Sequence, residues 1–358
     1  MPDKNDMSAA TNPSLTGIPS ASESSFREPM GSGSGKSNPI WKPEQTQEHH
    51  LLNSRTTNRL AAIEFLVSHN TYRPPHLHPD EDEMFYVLEG ELTYLLNGEI
   101  GIANAGASFY IPPGVMHAWR NDSFAEVRIL VITRNERLER LFESWRLDHS
   151  NTIPDAATIQ RVCEEYNVEM CTEPTEFTKA IEKFKAHRTE PIHSISGGLL
   201  PRSGANRDPA TLHVLGVRAE ILLHGDETSG TQSVYQLEIP PRAKLPFYVY
   251  NEARESFYIT SGELELNVND EVRRLRAGDF VSIPSGTKHS FHNISKVPCY
   301  VVAQSVPSGP EKFLQTIDRL TRDGQLTESA IGQALQDHGI QSVWSFHNRL
   351  QRPAHSLP

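Results

Sequence analysis

Short runs in which apolar and polar residues alternate, each closed by a turn signal, occupy two separate blocks of the chain. Leu92-Thr-Tyr-Leu-Leu-Asn97-Gly98-Glu and Leu264-Glu-Leu-Asn-Val-Asn269-Asp270-Glu are examples, one from each block. Alternation with period two turns one face of a strand to a core, and Asn-Gly or Asn-Asp between two runs predicts a tight hairpin. After each block the period changes. Leu138, Leu141, Phe142 and Trp145, then Ile159, Val162 and Tyr166, follow the first; Phe313, Ile317 and Leu320, then Ile331 and Leu335, follow the second. Steps of three and four residues predict helices with one buried stripe each, packed on the β units or between them.

The two blocks are copies of one plan. Phe85-Tyr-Val-Leu-Glu-Gly-Glu-Leu reappears as Phe257-Tyr-Ile-Thr-Ser-Gly-Glu-Leu. Without a gap, Glu83 falls on Glu255, Gly90 on Gly262, Gly106 on Gly278, Pro112 on Pro284, Gly114 on Gly286, His117 on His289 and Asn121 on Asn293. A repeat at a fixed offset is an architectural signal, and closing antiparallel strands into a double-sheet jelly roll removes most exposed edges. The expected class is all-β with flanking helices, built as two tandem jelly-roll barrels. Its parts are a disordered tail at 1–40, a first barrel at 41–150, a helical linker at 151–190, a second barrel at 191–308, and helices with a tail at 309–358.

Length and composition agree with that plan. A chain of 358 residues is long for one core, so two domains are expected. With 34 basic and 45 acidic side chains the formal charge is −11, which argues against nucleic acid or an anionic membrane as partner. Cys163, Cys171 and Cys299 are odd in number and scattered, unlike a disulfide framework. No apolar run is long enough to span a bilayer, and the amino terminus lacks the apolar stretch of a signal peptide. A soluble protein of the reducing cytoplasm is expected. Gly31-Ser-Gly-Ser-Gly35-Lys36-Ser37 resembles a phosphate-binding loop, but Met30 stands where its first glycine belongs, and neither a strand nor a helix flanks it. It reads as a flexible segment.

The candidate chemistry lies in the first block. His76 and His78, two apart on a strand, point to one face, and Glu83 follows on the same wall. His117 ends the run Gly106-Ala-Ser-Phe-Tyr-Ile-Pro112-Pro-Gly114-Val-Met-His117, whose glycines and prolines supply turns. Three imidazoles and a carboxylate leave one or two positions open on a five- or six-coordinate ion, which suits catalysis. No cysteine lies nearby to close a thiolate site. Phe85 is two beyond Glu83 and Trp119 two beyond His117, so both rings face the interior, with Val87 and Phe109 as further candidates. Aromatic walls suit a planar, largely apolar substrate; the plainer reading is that they fill the barrel core. In the second block Tyr248 and Tyr250 replace the two histidines of the strand. A phenol with a pKa near 10 is a poor ligand for a divalent ion, so no metal is expected there, a ferric tyrosinate site being the alternative.

His-x-His, Glu83 five residues later, Gly90 seven beyond that, and the Gly106 to Asn121 pattern resemble the two motifs of the cupin superfamily. One departure is Asn70, six residues before His76, where that pattern has glycine; Asn also tolerates a left-handed backbone. Among two-barrel cupins, an intact first site beside a degraded second one resembles the quercetin dioxygenase group, over roughly residues 40 to 345. The resemblance implies metal ligands His76, His78, Glu83 and His117, with Glu83 also taking the proton of the substrate hydroxyl. It implies one divalent transition metal per chain, iron first, with manganese, nickel, cobalt and copper also fitting the ligand set. Phe85 and Trp119, with Phe109, would contact the substrate, and the bound enolate would react with dioxygen, its ring opening with loss of carbon monoxide. The partners implied are a small organic substrate and dioxygen; the sequence leaves the oligomeric state open, although a jelly roll with a spare strand edge often pairs with a second copy as a homodimer. The rival readings are a cupin oxygenase, isomerase or cyclase of secondary metabolism, an oxalate decarboxylase or oxidase, and a binding or storage protein. Tyr248 and Tyr250 count against the oxalate enzymes, the complete first ligand set against a storage role, and Glu83 against the three-histidine gentisate type.

Overall fold

The computed structural model describes residues 46–50, 61–134, 156–170 and 211–342, with single positions at 137, 140, 141 and 179. The expected tail, the glycine-serine run at 31–37, Cys171, and the side chains of Leu138, Phe142, Trp145 and Ile159 lie outside the described residues. The first barrel is built from β1 (Thr46–His50), β2 (Ala61–Val67), β3 (Tyr72–Leu77), β4 (Glu83–Glu89), β5 (Glu91–Leu96), β6 (Glu99–Asn104), β7 (Ser108–Ile111), β8 (His117–Arg120) and β9 (Val127–Thr133). Helix α1 (Ala156–Glu165) and a short strand β10 (Glu169–Met170) follow. The sheets run β1-β2-β9-β4-β7 and β10-β3-β8-β5-β6, and neighbours pair antiparallel.

The second barrel repeats the plan with β11 (Leu212–Val214), β12 (Val217–Leu223), β13 (Ser233–Ile239), β14 (Tyr248–Tyr250), β15 (Arg254–Ser261), β16 (Glu263–Val268), β17 (Glu271–Arg276), β18 (Phe280–Ile283), β19 (His289–His292) and β20 (Cys299–Val306). Its sheets are β11-β12-β13-β20-β15-β18 and β17-β16-β19-β14-β21, where β21 (Ile340–Ser342) comes after helices α2 (Pro310–Arg322) and α3 (Glu328–Asp337). The strands after the helices have matching jobs. β10 covers the edge of β3, and β21 covers the edge of β14. Val162 of α1 and Leu141 are buried in the first core, and Phe313, Ile317 and Ile331 are buried against the second barrel's end.

The turn residues explain the duplication at backbone level. Asn97 and Gly98 sit at φ 49° and 86°, and Asn269 and Asp270 at 48° and 70°, the two positive angles that a type I′ hairpin demands. Asn70 is left-handed at φ 61°, and Arg242 at the matching place is at 62°, so the absent glycine costs the bend nothing in shape. Gly90, at φ 86°, also meets a close neighbour: a Cβ there would lie 2.9 Å from Val127 Cγ2 and 3.1 Å from the Glu126 carbonyl oxygen. Asn121 and Asn293 are fully buried clamps. Asn121 Nδ2 donates to the carbonyls of Val67 and Ala125, both at 2.8 Å, while its Oδ1 accepts from the Ser123 amide; Asn293 repeats this with Ile239, Val297 and Ser295. Asn121→Ala leaves two carbonyls without their donor and should cost about 2–3 kcal/mol, with a similar loss for Asn293→Ala. Urea unfolding midpoints of the two variants check this.

Alternation is cleaner in β16 than in β5. Leu92, Tyr94 and Leu96 enter the first core, but Leu95 is buried too, because on the other face it packs with Tyr72 and Ala118. β4 is likewise buried on both faces: Phe85 and Val87 point into the barrel, while Met84 and Tyr86 join Leu130 and Ile132 against Leu222, Val234, Tyr258 and Val302 of the second barrel. This inter-barrel face is closed by reciprocal bonds. Tyr86 Oη donates to Gln236 Oε1 at 3.1 Å, and its counterpart Tyr258 donates to Glu64 Oε2 at 2.8 Å. Buried Asp82 accepts from Tyr110, Gln232 and Arg134, a set that fixes the barrels at the level of the site.

Candidate metal centre

His76 and His117 are direct partners across β3 and β8, so their side chains leave the sheet on one face. His78 follows one residue beyond the end of β3, held by its carbonyl, which accepts from the Gly114 amide at 2.8 Å. That bond ties the Pro112-Pro113-Gly114 turn to the histidine strand. The three imidazoles each offer a nitrogen within 4.8 Å of the others. Glu83 reaches the same point from β4, in the opposite sheet: its Oε2 lies 2.8 Å from His117 Nε2 and 3.7 Å from His78 Nε2. The cluster therefore bridges the two sheets inside the barrel.

Tautomers follow from the hydrogen bonds. His76 Nδ1–H donates to the Pro74 carbonyl at 2.8 Å, and His117 Nδ1–H to the Val115 carbonyl at 3.0 Å, which turns each Nε2 to the cluster. His78 Nε2 is buried with no hydrogen-bond partner among the described residues, and the buried His117 Nε2 and Glu83 Oε2 have only each other there, at 2.8 Å. Imidazole nitrogens and a carboxylate brought this close share a positive charge, either a proton or a metal ion, and three imidazoles with a carboxylate are a donor set for a divalent transition ion. The residues fit such an ion. Burial, with His117 and His78 adding to it, draws His76 well below the ordinary histidine range. Burial draws His78 down to about 4 against the pull of Glu83. Both rings are thus neutral and ready to ligate at pH 7. Burial would raise Glu83, but His78, His117 and Arg73 together hold it below its ordinary value, so it is a carboxylate.

Phe85, Phe109 and Trp119 all lie in the barrel interior, each nearly inaccessible, in one packed cluster. Phe85 and Phe109 stack at 4.9 Å between centroids, and Tyr94 stacks on Phe109 at 5.1 Å. Val87 belongs to the same cluster. Arg73 adds a group that strand alternation does not predict. It is three residues before His76 and should face away, but the register shifts between Arg73 and His76, and Arg73 stands opposite Trp119. Its guanidinium lies 5.8 Å from the Trp119 ring centre, buried beside the ligand cluster. The signal available in the sequence was the Pro74-Pro75 pair, two residues that cannot donate to a ladder and so favour an irregularity.

The corresponding place in the second barrel holds Tyr248, Tyr250, Glu255 and His289. Tyr248 is paired with His289 across β14 and β19, their ring centres 4.1 Å apart. Burial, and then Glu255, pushes both phenols well above the ordinary tyrosine range, so without a metal ion both are neutral hydroxyls, which are poor ligands for a divalent ion. Tyr250→Phe should therefore leave the metal content of the purified protein at the wild-type value, as measured by elemental analysis; a loss of bound metal would put a ligand in the second barrel.

Comparison with known proteins agrees with this reading of the fold. The Cupin domain family matches residues 64–133 and again 235–304, stretches that contain the ligand cluster and its altered copy. Quercetin 2,3-dioxygenase of Bacillus subtilis (strain 168) is 25% identical over 273 residues, covering 75% of this chain and 79% of that protein. Protein SchB of Streptomyces halstedii is 30% identical over 91 residues, which is 25% of this chain and 64% of SchB. Among solved structures, the oxalate decarboxylase formate complex of Lactobacillus farciminis superposes with a TM-score of 0.50 at 14% identity, over 80% of this chain and 90% of that one. At that identity the likeness concerns the fold. No helix among the described residues is long and apolar enough to cross a membrane. With two cupin domains in tandem, one of them holding a three-histidine cluster able to bind a metal ion, the chain is a bicupin.

Proposed function

We propose that this bicupin is a metal-dependent dioxygenase that oxidises a small aromatic, enolic substrate in its first barrel, with His76, His78, Glu83 and His117 as ligands. The observation that carries the reading is the convergence of three imidazoles and a buried carboxylate from both sheets on one point. The likeness to quercetin 2,3-dioxygenase over three quarters of the chain supports the reaction class. When bound, a divalent transition ion, iron first among the candidates, supplies Lewis acidity and redox chemistry towards dioxygen. The protein's own part is to bind and to move a proton. Glu83 Oε2 takes the proton of the enolic hydroxyl, a step suited to a carboxylate held ionised inside a water-poor barrel. Arg73 places a fixed positive charge where the enolate's negative charge develops. Phe85 and Trp119 are the rings that orient a planar substrate, while Phe109, stacked with Phe85 and Tyr94, supports Phe85. Free, buried Cys163 and Cys299 accord with the reducing cytoplasm as its compartment.

Anaerobic titration with quercetin tests the binding step apart from turnover. The metal-loaded protein should bind it as the enolate, seen as a red shift of its visible band, and Glu83→Gln should bind it without that shift. An identical shift in Glu83→Gln would remove the proton-accepting role, and absence of binding to the loaded wild type would remove flavonols as the substrate class.

A further inference from the structure

Asp82 stands immediately before the ligand Glu83, on the side of β4 that meets the second barrel. It is 2% exposed. Its Oδ2 accepts from Tyr110 Oη at 2.7 Å and from Gln232 Nε2 at 2.9 Å, and its Oδ1 accepts from Arg134 Nε at 2.7 Å. The chain of bonds continues into the second barrel. Gln232 Oε1 accepts from Gln304 Nε2 at 2.7 Å, and Gln304 Oε1 accepts from Ser256 Oγ at 3.3 Å. Gln232, Gln304 and Ser256 are all buried.

We infer that this chain positions Glu83: Gln232 and Gln304 of the second barrel hold Asp82, and Asp82 holds the Glu83 carboxylate on the metal centre of the first. The inference rests on the reading of Glu83 as a ligand. Two observations carry it. Glu83 is the first residue of β4, with a loop before it, and restraint from pairing is weakest at the end of an element. Asp82 restrains that end from three sides. Tyr110 precedes Ile111, which stands opposite Glu83 on β7, and Arg134 follows Thr133, which stands opposite Glu83 on β9. Gln232 alone of the three fixes the strand end against the other barrel. The second observation is an asymmetry. The Tyr86–Gln236 bond recurs through the duplication as Tyr258–Glu64, so a bond that merely joins the barrels is present twice. Asp82, Gln232 and Gln304 instead fall on Arg254, Leu60 and Ile132, which supply neither carboxylate nor amide side chains for such a chain. It is built only beside the complete ligand set. A fully satisfied buried network fixes geometry, and a ligand site tolerates about 0.5 Å of misplacement, so the network has a use here that it lacks beside Glu255.

Dissociation constants for cobalt(II), read by chelator competition on the full-length metal-free protein, test the inference. Gln232→Leu should weaken cobalt binding about tenfold, the lower end of the range for outer-shell groups. Tyr110→Phe, which takes the other donor from the same carboxylate oxygen, should act in the same direction. Tyr258→Phe removes a buried bond between the barrels that does not involve Asp82; it should lower the urea midpoint and leave cobalt affinity at the wild-type value. Glu83→Gln should bind cobalt more weakly while still filling at saturating metal, and adding Gln232→Leu to it should cost no further affinity, because the chain acts through Glu83. Unchanged affinity in Gln232→Leu or in Tyr110→Phe, an equal loss in Tyr258→Phe, or a further loss in the double variant would each overturn the inference. Unchanged affinity in Glu83→Gln would overturn the ligand reading, and the inference with it.

Discussion

His76→Ala is expected to remove the bound transition metal and, with it, all measurable oxygen consumption above the metal-free background. The argument starts from geometry. His76 stands directly opposite His117 and its ring packs 4.2 Å from that of its partner, so it forms one side of the three-nitrogen cluster. Nothing near it among the described residues can take over. His78 and His117 are already committed to the same point, and the flanking Pro75 and Leu77 have no donor atoms in their side chains. Loss of an outer-shell partner alone weakens metal binding by about 10- to 100-fold; loss of a direct ligand should exceed the upper end of that range. The substitution should not unfold the barrel, because His76 is only partly buried and makes its one described side-chain hydrogen bond to a neighbouring carbonyl. Elemental analysis together with an unfolding curve separates the two effects.

Glu83→Gln is expected to do the reverse, sparing most of the metal while lowering turnover by about 10²- to 10⁴-fold, the usual contribution of a positioned general base. Three imidazoles within 4.8 Å of one another remain to hold the ion. The amide keeps the shape of the carboxylate but cannot accept a proton at neutral pH. Glu83 comes from the sheet that faces the histidines, so its removal does not disturb the strand pairing of β3 and β8. Steady-state rates on protein with a measured metal content give the test. A variant with unchanged rate would mean that the substrate is bound already ionised or that another group takes its proton.

Much of this architecture is visible in the linear sequence because its determinants are local. Period-two runs, Asn-Gly and Asn-Asp turns, and a motif repeated without a gap need no tertiary information, and the same turns appear with the positive φ angles they call for. The His-x-His spacing places two imidazoles on one face wherever the strand is regular, and the replacement of both by tyrosine distinguishes the second barrel at once. What escapes sequence reading depends on the third dimension. Met84 and Tyr86 look like the outward half of an alternating strand, yet they are buried because a second barrel lies against them. Arg73 faces the interior only because the strand slips by a register step before His76. The second barrel also holds an apolar cavity that depends on where α2, α3 and β21 close over it, and no spacing in the sequence encodes that placement.

The central claim is one catalytic metal in the first barrel, and oxygen uptake tests it most directly. Metal-free protein would be reloaded separately with iron, manganese, nickel, cobalt or copper and offered quercetin and several non-flavonoid enols, with His76→Ala treated in parallel. The account predicts uptake with at least one metal and one enolic substrate, in proportion to bound metal and absent from His76→Ala. Tight binding of one ion per chain with no uptake for any pair, or equal uptake by His76→Ala, would contradict it.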